Sequence, residues 1–261
     1  MNRSQLILSL LGIVLIVLLF QLPTVVVEND QLQEVAPTET HSLEIPAAVL
    51  QEISGLSAQI TSEEDFEKKI NFAHYLANRY LDYGVLDSAI SVAEKIENWA
   101  EGPSENAMSI YFKAFERSQN QEQTKEYAQK ARTLLKQLME KDPSNLSLKN
   151  KLAMTLVVSE NPMAGISMLR EILEVNENDR QAILNLGLLA IQSGQFDRAK
   201  ERFKKLVSLD TTDHEAKLYL AVSMIEINQQ SQAKPLLEEI LNTKDSIPAI
   251  KMMATDYLKG M

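Results

Sequence analysis

The 261-residue chain contains no cysteine, only three histidines and a single tryptophan. Without cysteine there is no disulfide framework, thiolate zinc site, iron–sulfur cluster or thiol nucleophile. The histidines, His41, His74 and His214, lie too far apart in sequence to form a local metal-binding pair. Glycine and proline occur only eight times each, which is few for this length. These absences exclude several classes of enzyme and favour a mainly helical protein.

The charge balance and the missing motifs exclude further functions. Asp and Glu number 36 against 26 Lys and Arg, so the formal net charge is −10, whereas nucleic-acid binding needs a clustered basic surface. The sequence contains no G-x-x-x-x-G-K, G-x-G-x-x-G, G-x-S-x-G or H-E-x-x-H motif. We therefore predict that the protein is not an enzyme, binds no nucleic acid, and uses no metal or cofactor.

The N-terminal segment is uncharged and strongly apolar. No charged residue occurs from Ser4 to Val27, and positions 6–20 read LILSLLGIVLIVLLF. About 20 apolar residues in a helix cross a hydrocarbon core of roughly 30 Å. We therefore predict a single transmembrane signal anchor over residues 1–27. The alternative is a cleaved signal peptide, but the β-branched residues at 24–27 suit a cleavage site poorly because such sites prefer small residues.

An acidic segment follows the predicted anchor. Residues 28–65 contain nine Asp and Glu and not one Lys or Arg. Basic residues are retained on the cytoplasmic side of a membrane, so this asymmetry predicts a cytoplasmic N-terminus and an exported remainder. In a bacterium this describes a single-pass inner-membrane protein with a periplasmic domain; the alternative is a cytosolic domain on an organelle membrane. We interpret residues 28–65 as a solvated tether, with a short helix over 47–60 as the alternative.

The remaining residues, 66–261, contain an internal repeat of 34 residues. The three clearest copies are 146–179, 180–213 and 214–247. Each copy has two amphipathic segments, and it is too small to bury its own apolar face, so the copies must stack. Ala153, Gly187 and Ala221 occupy one equivalent position, where we expect the two helices of a copy to touch. We therefore expect Gly187→Leu to destabilise the fold and Gly187→Ala to be neutral.

The period, the small-residue positions and the apolar positions together resemble the tetratricopeptide repeat. The resemblance implies an all-α, right-handed solenoid of helical hairpins. It extends upstream to a repeat at 70–103 and to a degenerate repeat with longer helices at 104–145, and we expect a closing helix at 248–260. Pro235 falls inside a predicted second helix, which we expect to start late or to bend.

In this family the first helix of each repeat lines a concave face that binds protein partners. By register, the residues expected on that face are Met154, Val157, Val158, Leu184, Asn185, Leu188, Ile191, Leu218, Tyr219, Val222 and Ile225. Most of them are apolar, and exposed apolar patches mark partner sites. The alternative is a groove filled by the protein's own closing helix or by the segment 47–60.

Some members of the family hold the C-terminal carboxylate of chaperones with Lys, Arg and Asn on this face. Only the position of Asn185 matches, and the other four hold Asn150, Met154, Glu215 and Tyr219. A carboxylate would lose its hydration there without gaining a cation. We therefore predict that the groove rejects acidic chain termini and binds an apolar or amphipathic helix.

The sequence thus predicts a membrane-anchored scaffold or chaperone-like adaptor. It is expected to bind apolar or amphipathic protein segments on the extracytoplasmic side of a bacterial membrane. The alternative function is a repeat component of cytochrome c maturation or of another envelope assembly system, which rests on analogy of fold alone. The sequence does not indicate an oligomeric state.

Overall fold

The computed structural model describes residues 45–261, which form α-helices and no strand. The twelve helices are α1 (Ala47–Ser62), α2 (Phe66–Asp82), α3 (Leu86–Trp99), α4 (Glu105–Arg117), α5 (Gln121–Lys141), α6 (Leu146–Val157), α7 (Pro162–Val175), α8 (Arg180–Gln192), α9 (Phe196–Leu209), α10 (His214–Glu226), α11 (Gln230–Asn242) and α12 (Pro248–Lys259). The prediction of an all-helical solenoid is confirmed for these residues. The predicted anchor at 1–27 lies outside them, and none of the described helices is long and apolar enough to span a membrane.

Successive helices pack against one another and build a solenoid of helical hairpins. First helices begin at Leu146, Arg180 and His214, and α12 begins one further period on, at Pro248. The second helices α7, α9 and α11 follow the same spacing. Most first helices also contact the first helix of the next hairpin, so their exposed faces adjoin along one side of the solenoid. The 34-residue period of the sequence is therefore a period of the structure.

The period is also one of helix-capping residues. The side chains of Asn145, Asp179 and Asp213 accept hydrogen bonds from the backbone N–H groups three residues on, at 3.1, 2.8 and 2.9 Å. The first four N–H groups of a helix have no partner inside it, and a capping side chain typically contributes about 1 kcal/mol. These caps fix where each first helix starts and hence which of its residues face the concave side.

The two helices of a repeat approach most closely at glycines. A Cβ atom at Gly187 would lie 2.6 Å from Cζ of Phe203, in the second helix of the same repeat. Phe203 is fully buried and its ring stacks on Tyr219 at 5.4 Å between centroids, so it cannot easily move away. The predicted position of the close approach is confirmed, but the expectation that alanine is neutral there is wrong.

Gly165 makes a similar approach from the second helix of the preceding repeat. A Cβ atom there would lie 2.4 Å from the carbonyl oxygen of Ala153. Ala153 belongs to the first helix of the same repeat, so this small residue serves contact within a repeat. Both glycines are therefore required by helix–helix distance.

Helix α1 differs from the solvated tether favoured by the sequence. Val49, Ile53, Leu56 and Ile60 recur three and four residues apart and lie on one face. Ile53 and Leu56 are buried where α1 packs on α2. This apolar stripe outweighs the low helix propensity of Gly55. Residues 47–62 accordingly extend the helical domain.

Helix α11 begins at Gln230, one period after Phe196, so the predicted late start is wrong. Pro235 lies at its sixth position. Proline there removes one backbone donor. The helix is held in place by Ala233, Leu237 and Ile240, which are fully buried. Packing outweighs the local cost of the proline.

Candidate protein-binding groove

The helices α4, α6 and α8 line an open groove with a volume of about 770 Å³. Their groove residues are spaced three, four and seven apart, which places them on one face of each helix. On α6 these are Ser147, Asn150, Lys151, Met154 and Val158. On α8 the equivalents 34 residues later are Gln181, Leu184, Asn185, Leu188 and Gln192. The groove is thus the concave face of successive repeats.

The structure brings together six of the residues expected on this face, namely Met154, Val157, Val158, Leu184, Asn185 and Leu188. Ile191, Leu218, Tyr219, Val222 and Ile225 do not line the groove. Leu218 and Val222 are 1% and 5% exposed and pack in the core around α10, α11 and α12. Ile191 and Ile225 are partly buried against the same core, and Tyr219 stacks on Phe203. The groove therefore ends before α10, at Glu215.

Helix α4 supplies a wall of the groove that the sequence analysis did not identify. Phe112 and Phe115 form an edge-to-face pair, with ring centroids 5.5 Å apart. The block 104–145 is eight residues longer than the period, so the register of the later repeats could not be carried onto it. The strongly amphipathic sequence of α4 was the signal available.

The groove is more polar than predicted, because charged side chains line its α4 and α6 end. Lys113, Glu116 and Lys151 lie there, and the ammonium of Lys113 donates to Asn78 Oδ1 at 2.7 Å. Burial raises the pKa of the Glu116 carboxyl, and the charges of Lys151, Arg117 and Lys113 oppose that rise. Among the described residues neither Glu116 nor Lys151 forms an ion pair. The argument that no cation faces the groove therefore holds for the matched positions but not for the groove as a whole.

Two asparagines lie at the floor of the groove. Asn150 is 3% exposed, and its amide donates to the Leu146 carbonyl at 3.1 Å and to Asp179 Oδ1 at 3.0 Å. Its own Oδ1 has no hydrogen-bond partner among the described residues. Asn185 accepts from the Gln181 side chain at 3.0 Å. A buried acceptor without a donor is costly, so Asn150 can gain from a donor on a bound segment.

Neither of the protein's own helices that we considered as an occupant reaches the groove. Helix α1 packs on α2, and α12 packs on α10 and α11. No residue of α1 or α12 lines the groove. Within residues 45–261, the face formed by α4, α6 and α8 is accessible to a partner. These residues also contain no cluster of His, Asp and Glu suited to hold a metal ion.

The sequence comparisons agree with the repeat in its C-terminal part. Residues 190–256 match the family model of the tetratricopeptide repeat. This match covers the end of α8 and the helices α9 to α12. No curated protein is significantly similar in sequence to the chain.

Solved structures share the fold. A tetratricopeptide repeat protein from Parabacteroides merdae is 17% identical, with a TM-score of 0.53 over 77% of this chain and 74% of that one. A thermophilic tetratricopeptide repeat protein from Thermus thermophilus is also 17% identical, with a TM-score of 0.53 over 73% of this chain and 99% of that one. At this identity the likeness shows the fold alone. The family match and the shared fold together support the tetratricopeptide repeat as the structural unit of this solenoid.

Proposed function

We propose that the protein is a scaffold that binds an amphipathic segment of another protein in the groove of α4, α6 and α8. The observation that carries this proposal is the continuous strip formed by Phe112, Met154 and Leu188, one residue from each first helix. Three adjoining helices present these side chains to one space of about 770 Å³, a size typical of ligand sites. Such a strip fits the apolar side of a partner helix.

The polar residues of the groove determine which side of the segment faces outward. The asparagines on α6 and α8 and the charged residues near α4 flank the apolar strip. A wholly apolar segment would leave these groups without partners, which costs free energy. We therefore favour an amphipathic segment that places polar donors over Asn150 and an apolar edge on Leu188.

Photocrosslinking tests this assignment directly. A benzophenone amino acid at position 188, in the full chain in its native membranes, is expected to capture a partner. The matched control is position 175, because Val175 is an apolar residue that is 73% exposed and lies outside the groove. An excess of the captured segment as a synthetic peptide should suppress the crosslink from 188. Equal capture from both positions would contradict the proposal.

We also propose that the scaffold is anchored in a bacterial inner membrane with its repeats in the periplasm. The support is the uncharged run at 4–27 and the absence of Lys and Arg from residues 28–65. Protease added to intact spheroplasts is then expected to digest the repeats. Protection of the repeats until the membrane is lysed would show the opposite orientation, and recovery of the intact chain in the soluble fraction would rule out an anchor.

A further inference from the structure

A second cavity, of about 430 Å³, lies between the start of α10 and the start of α12. Leu218, Ile250 and Met253 form its apolar wall. Ile247, which precedes α12, is 58% exposed at its edge. The cavity is thus large enough for one long side chain and has an apolar surface for it to cover.

Four carboxylates and one guanidinium also line this second cavity. Arg180 donates to both oxygens of Asp213, at 2.8 and 3.0 Å, and to Glu215 at 2.7 Å. The remaining two, Asp210 and Asp245, form no ion pair among the described residues. The lining therefore carries a surplus of negative charge.

Neighbouring lysines do not neutralise this surplus. The ammonium of Lys217 points to Glu239, at 2.5 Å, and that of Lys251 donates to the Thr243 carbonyl. Lys244 precedes Asp245 in sequence but does not line the cavity. An outside cation is the group that these carboxylates lack.

Two buried polar atoms in the cavity lining also lack partners. Ser246 is 7% exposed, and its hydroxyl has no hydrogen-bond partner among the described residues. The buried Nδ1 of His214 is likewise without a partner there. Leaving such groups unpaired costs free energy, whereas a bound donor would satisfy the Ser246 oxygen. This observation is independent of the carboxylates and points to the same kind of ligand.

We infer that the second cavity binds the cationic side chain of a lysine or arginine from a partner protein. The aliphatic stem of such a side chain covers Leu218, Ile250 and Met253, as long basic side chains do on apolar surfaces. Its charged end lies near Asp245 and donates to Ser246 Oγ. The inference does not depend on occupancy of the larger groove.

The test uses the full chain in detergent, labelled with ¹³C at the methionine methyl groups. The probe is N-acetyl-arginine N-methylamide, and its neutral control is the citrulline analogue. The arginine probe should shift the Met253 methyl resonance saturably, and the citrulline analogue should not. Asp245→Asn should weaken binding about tenfold, since it removes one side of a charge-assisted contact.

Further variants separate this site from the groove. Leu188→Glu should leave probe binding unchanged, whereas Ser246→Ala should weaken it. Asp245 is exposed, so its substitution should not change the melting temperature, and this must be measured alongside. Equal binding of the citrulline analogue, the absence of a saturable shift, or unchanged affinity in Asp245→Asn would each overturn the inference.

Discussion

The middle repeat, 180–213, solves its helix contact differently from the repeats on either side. It pairs Gly187 with Phe203. The equivalent pairs are Ala153 with Leu169 and Ala221 with Leu237, each 34 residues away. A methyl group lost on the first helix is matched by a larger side chain on the second. The repeats therefore conserve the volume between their helices rather than the residue at either position.

The largest effect is expected from filling the glycine position with a branched side chain. Gly187→Leu places several atoms where the Phe203 ring lies, and that ring is fixed between Gly187 and Tyr219. Overpacking of this kind should lower the free energy of unfolding by about 3 kcal/mol. Urea denaturation measures the loss. A variant as stable as the wild type would show that the two helices do not approach here.

A smaller effect that is more specific to the comparison is expected from converting the middle pair to the neighbouring pair. Gly187→Ala should cost about 1–2 kcal/mol, because its Cβ contacts Phe203. Phe203→Leu alone should also destabilise, by leaving a cavity. The double variant has the Ala–Leu pair of its neighbours, so it should lose about 1 kcal/mol less than the sum of the two. Strict additivity in a double-mutant cycle would contradict volume compensation.

The smallest effects concern an ion pair that the middle repeat lacks. Lys217 pairs with Glu239 at 2.5 Å, and Lys149 pairs with Glu171 at 2.9 Å. Between them, the middle repeat holds Ile183 and Lys205 at the equivalent positions. Position 217 therefore tolerates either an apolar side chain or a paired lysine.

These two pairs differ in burial, which sets the expected order of their variants. The Lys217 side chain is 4% exposed, whereas that of Lys149 is 22% exposed. Glu239→Gln leaves a buried ammonium without its counter-ion and should cost about 1 kcal/mol, against a few tenths for Glu171→Gln. Thermal melts at low salt compare the two variants. Equal losses would show that burial does not set the value of the pair.

The periodic residues explain why so much of the fold could be predicted. The spacing of Ala153, Gly187 and Ala221 establishes the repeat and the register of the first helices. That register identified the groove residues of α6 and α8, because every copy of the period has the same geometry. The cost of Gly187→Ala could not be predicted, because the size of the opposing residue matters and its contact is known only in three dimensions.

The remaining parts of the groove depend on features outside the period. Helix α4 lies in the longer block 104–145, where the register is shifted, so Phe112 and Lys113 were not recognised as groove residues. At the other end, α12 packs beside α10 and forms a separate cavity over Leu218. Period alone assigns every first helix to one continuous face, whereas the ends and the irregular repeat determine where the groove stops.

The central claim, that the groove of α4, α6 and α8 binds a protein segment, is tested most directly by one affinity measurement. The segment captured from position 188 is labelled, and its anisotropy is followed with the wild type, Leu188→Glu and Val175→Glu. Both variants place a carboxylate on an apolar residue, but only the first lies in the groove. We predict that Leu188→Glu weakens binding at least a hundredfold, because a buried unpaired charge costs several kcal/mol, and that Val175→Glu binds like the wild type. Equal affinities for all three proteins would contradict the claim.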